Sequence, residues 1–182
     1  MHLYRVHPWR EDAGETEPFG ALYVPPLQGY GRWDNPDLYR LRYFSLTPAG
    51  AVAETFGSLR QWSSGMFLVP GDSTAVRAVS TYSLPDETRW ADLADPAVLT
   101  RLGVGRVTDV TRRDLRRTQR LAERIHASGE WDGIAWWSYY HPEIELVATW
   151  VDRDLECRAT EPLAITDDAV AEAAELIVRS MR

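Results

Sequence analysis

Apolar residues recur along the chain with two periods, near 2 and near 3.6, and together they predict a mixture of strands and helices. Leu3 to Val6 reads as a short first strand. From there to Gly31 the chain is punctuated by Gly14, Pro18, Gly20, Pro25, Pro26 and Gly29, which marks a loop, with Ala21 to Val24 as a strand candidate inside it. Tyr39 to Phe44 alternates as a strand does. Thr47-Pro48 then opens a helix, threonine as cap and proline at the first helical position. Ala49, Val52, Ala53, Phe56 and Leu59 supply its apolar stripe.

Ala75 to Leu84 reads as a further strand, and Asp95-Pro96 opens a short helix that Gly103 closes. Thr111 to Ser128 has the strongest helical pattern. Thr111 and Asp114 resemble a capping box, Leu115, Leu121, Ala122 and Ile125 form the stripe, and Gly129 ends it. Strands follow at Gly133 to Trp137 and Glu143 to Val151, then a last helix from about Asp167 to Met181. Strands and helices are segregated rather than strictly alternating, so the expected class is α+β: a single domain with mixed sheet and flanking helices.

Length and composition narrow this picture. A chain of 182 residues fits one domain and can bury a core without staples. The net charge of −7 argues against direct nucleic-acid binding, which asks for a basic face. All 20 basic residues are arginine, which removes Schiff-base and phosphate-loop lysine chemistry. Cys157 is the sole cysteine, so neither an internal disulfide nor a thiolate zinc site can form. The four histidines have no metal-ligand spacing, and no metal is expected. Without a signal-like or membrane-length apolar run, the expectation is a cytoplasmic protein with no membrane contact.

Four positions could carry chemistry. Arg32 stands in Gly29-Tyr-Gly-Arg-Trp33, where flanking glycines would let backbone approach a ligand and the guanidinium fork could grip phosphate; a solvated surface turn is the bland alternative. Glu54 lies on the helix after Thr47, where its neighbours three and four residues away are Gly50, Ala51, Gly57 and Ser58. That strip of small residues either leaves room for a ligand or receives another element in close packing. Tyr43 ends the preceding strand and could stack on a planar ring or simply fill core. Ser138 follows Ile134-Ala-Trp-Trp137 with no base or Gly-x-Ser-x-Gly elbow to activate it, so hydrogen bonding suits it better than covalent catalysis. Other signals are weaker: Gly103-Val-Gly105 lacks a dinucleotide fingerprint, and Arg113, Arg116, Arg117, Arg120 and Arg124 form a stripe that reads as a solvated face or a dock for an acidic partner.

With these residues in hand, the chain resembles the RES-domain family, named for its Arg, Glu and Ser. The matching landmarks are Leu3-Tyr-Arg-Val6, Gly31-Arg-Trp33, Arg42-Tyr-Phe44, Ala51-Val-Ala-Glu54 and Asp132-Gly-Ile134 leading to Ser138, in the family's order, over a core of about 3–152 followed by the helix at about 167–181. The sequence departs from the family where Tyr139 replaces a common basic residue after the serine, and where the closing strand reads Ala148-Thr-Trp150. The resemblance implies an ADP-ribosyltransferase-like fold and a toxin that consumes NAD, cleaving the nicotinamide–ribose bond by hydrolysis or phosphorolysis, or transferring ADP-ribose to a protein. It places Glu54 near the ribose, Arg32 on the pyrophosphate, Tyr43 against nicotinamide, and Ser138 as a hydrogen-bonding group near the ribose or nicotinamide. It also implies an antitoxin partner with an Xre-like part; a homodimer is common among enzymes of this size. A non-catalytic module using the arginine stripe and tryptophans for contacts is the alternative from another class.

Overall fold

The computed structural model describes residues 1–111 and 114–182. Its first strand, β1 (His2–Trp9), pairs antiparallel along its length with the long β5 (Asp72–Ser83), in register from His2 opposite Ser83 to Trp9 opposite Val76. On its other edge β1 touches β2 (Arg42–Ser45) only at Tyr4 opposite Ser45. From β2 the sheet continues through β8 (Glu145–Thr149) and β7 (Gly133–Trp137) to β6 (Trp90–Asp92). The β6–β7 pair is parallel, and the other pairings of this sheet are antiparallel. Both β4 (Leu68–Val69) and β9 (Glu156–Pro162) add to the outer edge of β5. A small second sheet joins β3 (Gln61–Trp62) in parallel to β10 (Ser180–Met181). The α+β expectation, a single domain with a mixed sheet, agrees with this architecture.

Strand alternation divides the core in two. One face carries Tyr43, Leu146, Ala148, Ile134 and Trp136, covered by α1 (Pro48–Phe56), α2 (Pro96–Arg101), α3 (Thr108–Thr111), α4 (Leu115–Ala127) and α5 (Asp168–Leu176). The opposite face carries Leu3, Phe44, Tyr82 and Val147 in a smaller cluster. There the loop after β1 replaces a helix layer: Tyr82 Oη donates to Ala21 O (2.6 Å) and Arg42 Nη2 to Leu22 O (3.2 Å).

Several sequence expectations are corrected. Ala21 to Val24 is not a strand; Leu22 packs onto the sheet's second face, and the carbonyls of Ala21 and Leu22 are met by side chains. The strand expected at Tyr39 begins only at Arg42, because Tyr39 is a core residue in a turn whose hydroxyl donates to Trp33 O (2.7 Å). Leu59 lies beyond the end of α1 and is exposed. The long helix starts at Leu115 with Asp114 as its cap, and Thr111 instead ends α3; Arg113 lies outside the described residues. The last helix stops at Leu176: Val178 takes φ +54°, and the chain turns into β10. That ending serves α1, because the Arg179 guanidinium donates to Gly57 O (3.1 and 2.6 Å), a cation at the negative end of the helix.

Candidate active site

Glu54 is placed by the local rules that start α1. Thr47 Oγ1 accepts from Gly50 N–H (3.0 Å) and Pro48 occupies the first turn. The strip of small residues beside Glu54 is filled at both ends by the loop after β7. A Cβ at Gly50 would come within 2.9 Å of Ile144 Cγ2, and one at Gly57 within 2.7 Å of the Tyr140 ring. The glycines thus serve close packing, while Ala51 lines the cleft and Ser58 faces solvent.

The packed loop brings Ser138 to Glu54. Ser138 is buried just after β7, with its N–H donating to Ile144 O (2.9 Å). Its hydroxyl donates to Glu54 Oε1 and accepts from Tyr140 N–H (2.9 Å). The proton of this hydroxyl is committed to Glu54, and one of its two lone pairs to Tyr140.

Tyr43, on β2, has its hydroxyl donating to Asp34 Oδ1 (2.7 Å) and accepting from Trp33 N–H (3.0 Å), while its ring meets Trp136 edge to face at 6.0 Å. Arg32 is half-buried on the neighbouring loop and donates through Nη1 to Val110 O (2.8 Å). Ser138 touches Glu54, and the Arg32 charge acts on Glu54 and Tyr43; of the four, Glu54 and Tyr43 line a common cleft, and Arg32 and Ser138 do not. Tyr43, Glu54, Ala51, Thr55, Trp136 and Tyr4 line a cleft of about 170 Å³ between α1 and the sheet. It opens where β1 and β2 diverge after their single paired position. Its volume is below the ~300–1,000 Å³ of sites that enclose a whole drug-sized ligand. Such a cleft takes one ring-sized end of a larger molecule.

The charges in this region influence one another. Burial among protein atoms raises the Glu54 carboxyl above its ordinary range, opposed by the Ser138 hydrogen bond and the Arg32 charge. Water still reaches Glu54, as expected for a group at a cleft rim with protein behind it. Burial lowers Arg32, with Glu54 and Tyr43 acting in the opposite sense. Tyr43 is pushed well above 10 by burial and then by Asp34, so it remains a neutral phenol. A carboxylate opposite a guanidinium, with an aromatic wall between the strands, can stabilise a cationic centre while an anionic group is held nearby.

The RES domain family matches residues 2–170 of the sequence. The chain belongs to the RES-domain family. No curated protein matches it. In fold, this RES chain is similar to a chain in the crystal structure of the M. tuberculosis MbcT–MbcA toxin–antitoxin complex. The TM-score is 0.59 at 19% identity, covering 97% of this chain and 88% of that one.

Two elements of this RES chain escaped the sequence reading although they hold the site together. Asp34 accepts from Gly29 N–H, Gly31 N–H and Tyr43 Oη–H, and Gln119 reaches the same loop from α4. The aspartate three residues after Gly31 is an Asx-type turn signal that was available in Gly-Arg-Trp-Asp; Gln119 carried none. The arginines at 116, 117, 120 and 124 are exposed, and Arg117 pairs with Asp109 and Asp114. Among the described residues no cluster of His, Cys, Asp and Glu could hold a metal ion, and no helix is long and apolar enough to cross a membrane.

Proposed function

We propose that the chain is a toxin-like enzyme that consumes NAD by cleaving the nicotinamide–ribose bond. The observation that carries the reading is the Glu54 carboxylate at the rim of an aromatic-walled cleft, oriented by Ser138 and facing the charge of Arg32. The nicotinamide ring enters the cleft that Tyr43 and Trp136 line side by side. The ring nitrogen leaves with the electron pair of the broken C–N bond, and positive charge grows at the ribose C1′ and ring oxygen. Glu54 stabilises that charge and orients the oxygen nucleophile, which bonds C1′ and yields its proton to solvent or buffer. Help of this kind from one preorganised group contributes on the order of 3 kcal/mol. Arg32 releases the Val110 carbonyl and holds the pyrophosphate, where a charge-assisted contact contributes about 1.5–3 kcal/mol. Ser138 acts through Glu54, the carboxylate to which its hydroxyl proton is committed.

The acceptor is water or phosphate, and product analysis separates them: ADP-ribose forms in either buffer by hydrolysis, and a phosphorylated ADP-ribose forms only where phosphate is supplied. A labelled protein band from labelled NAD would instead assign transfer to a protein. Family membership and the fold shared with a chain of a toxin–antitoxin complex support an antitoxin as partner. The deciding experiment incubates pure protein with NAD and follows nicotinamide release, with Glu54→Gln as control. The reading requires turnover in the parent and at least a tenfold smaller kcat in the variant. Intact NAD after long incubation at high protein concentration overturns it in favour of a binding module.

A further inference from the structure

The Gly29–Arg32 loop has no helix or strand to hold it, yet its backbone is fixed from both edges. Gly29 N–H and Gly31 N–H both donate to Asp34 Oδ2 (2.9 and 2.7 Å). The carbonyls of the same two glycines accept from Gln119 Nε2 (3.0 and 3.1 Å). Gly29 takes φ +143°, a conformation that favours glycine, and a Cβ at Gly31 would strike the Tyr43 hydroxyl and the Asp34 carboxylate. Glycine is thus required at 29 for its backbone conformation and at 31 for the close approach to Tyr43 and Asp34.

Asp34 is buried, and a buried carboxylate is tolerated when donors surround it. Two donors come from the loop. The third is the Tyr43 hydroxyl on the other oxygen, at 2.7 Å. A turn-forming aspartate needs only the backbone contacts; the bond to Tyr43 ties the loop that carries Arg32 to the wall of the cleft. We propose that Asp34, with Gln119 opposite it, is a positioning residue that sets the Arg32 guanidinium and the Tyr43 ring at one fixed spacing. Neither residue touches the substrate. The proposal rests on the reading of the cleft as an NAD site, where a preset spacing spares binding the cost of ordering these groups.

Asp34→Asn preserves the shape and offers Oδ1 to both glycine amides, but its amide nitrogen cannot accept the Tyr43 proton. It is expected to raise KM for NAD roughly tenfold with kcat within about threefold of the parent, the change for about one positioned hydrogen bond lost from binding. A residue with only a structural role would lower the melting temperature and the active fraction and leave KM alone. Tyr43→Phe removes the same bond from the other end, so the double variant should be no worse than the worse single one. Gln119→Leu frees the two carbonyls and should raise KM in the same sense, which keeps the test open if Asp34→Asn does not fold. A readout without turnover is amide exchange: in Asp34→Ala, Gly29 and Gly31 should exchange at least about tenfold faster while α1 is unchanged. Parent protein that leaves NAD intact, with protection lost in Asp34→Ala, defeats the NAD reading and leaves the positioning role standing. Unchanged KM in both Asp34→Asn and Gln119→Leu, or unchanged protection in Asp34→Ala, overturns the proposal.

Discussion

The Ser138 hydroxyl donates to Glu54 and accepts from Tyr140 N–H, so one buried oxygen links α1 to the loop after β7. The serine is thereby an orienting group for the carboxylate. Ser138→Ala leaves Glu54 free to turn and removes the hydroxyl that accepts from Tyr140 N–H. Turnover of NAD should fall roughly ten- to a hundredfold, which is what a charge-assisted hydrogen bond of about 1.5–3 kcal/mol amounts to in rate. Stability should drop by about 1 kcal/mol for the hydrogen bond. Steady-state kinetics beside urea unfolding checks both, and a parent-like kcat in Ser138→Ala would remove Ser138 from the mechanism.

The protonation of Glu54 makes a second prediction. The carboxylate form is the one that stabilises a cationic ribose, and burial raises this carboxyl above 4.5 while Ser138 and Arg32 oppose the rise. The acid limb of the kcat/KM profile should therefore lie above pH 4.5, and Arg32→Gln or Ser138→Ala should move it further up. The sign for stability is opposite to that of an ion-paired carboxylate. The folded state binds this proton more tightly than the unfolded one, so the stabilising contribution is full in acid and is lost as pH rises through the folded value. Glu54→Gln, whose amide oxygen still accepts from Ser138, should match or exceed the parent's melting temperature at neutral pH while losing turnover. A clear drop in melting temperature would show that Glu54 supports the fold instead.

Much of this site was legible because its pieces obey local rules. Thr47-Pro48 caps α1, Asp95-Pro96 caps α2, and the strand Gly133–Trp137 has the bounds its pattern predicted. Those elements carry Glu54 and lead to Ser138. What was not legible depends on distant partners. The polar strand Glu156–Pro162 forms because the edge of β5 offers it hydrogen bonds, and the two-residue strands at Gln61 and Ser180 exist only through each other. Ala21–Val24 has strand-like composition, but Leu22 packs on the second face of the sheet and side chains take the carbonyls of Ala21 and Leu22 in place of a ladder. The glycines flanking Glu54 raised two readings, ligand space and close packing, and Ile144 and Tyr140 decide for packing.

That packing makes Gly50 a sharp test. Glycine inside an exposed helix costs ~1 kcal/mol relative to alanine, so Gly50→Ala would ordinarily stabilise. Here the added methyl collides with Ser45 Oγ and lies 2.9 Å from Ile144 Cγ2, both buried. Overpacking of this kind costs ~1–3 kcal/mol, so the net effect should be a loss. It should also push the loop that carries Ser138 away from α1 and lower turnover. Urea unfolding of Gly50→Ala decides the sign, and a stabilised variant would mean that the loop yields easily.

His7 links pH to the fold at a distance from the cleft. It is buried on the sheet, with Nδ1 2.8 Å from Pro8 O and Nε2 2.8 Å from Ser80 Oγ, which lies 2.6 Å from Thr160 Oγ1. The Pro8 carbonyl can only accept, so the neutral ring carries its proton on Nδ1 and accepts from Ser80 through Nε2. Burial, assisted by Arg5 and Arg77 and opposed by the Pro8 carbonyl, lowers its pKa from 6.5 to about 4. The folded state therefore resists a proton that the unfolded chain takes up. This contribution to stability is full above pH 6.5, is lost progressively as pH falls from 6.5 to about 4, and changes no further below that. At most about 3 kcal/mol is involved, from 1.36 kcal/mol per unit of pKa. His7→Gln cannot titrate, so its unfolding free energy should decline less than the parent's between pH 7 and 4.5. Glu54 acts in the opposite direction within that window, but equally in both proteins, so the difference between them isolates His7. Parallel pH curves for the two would show that the buried imidazole is protonated as easily in the fold as in water.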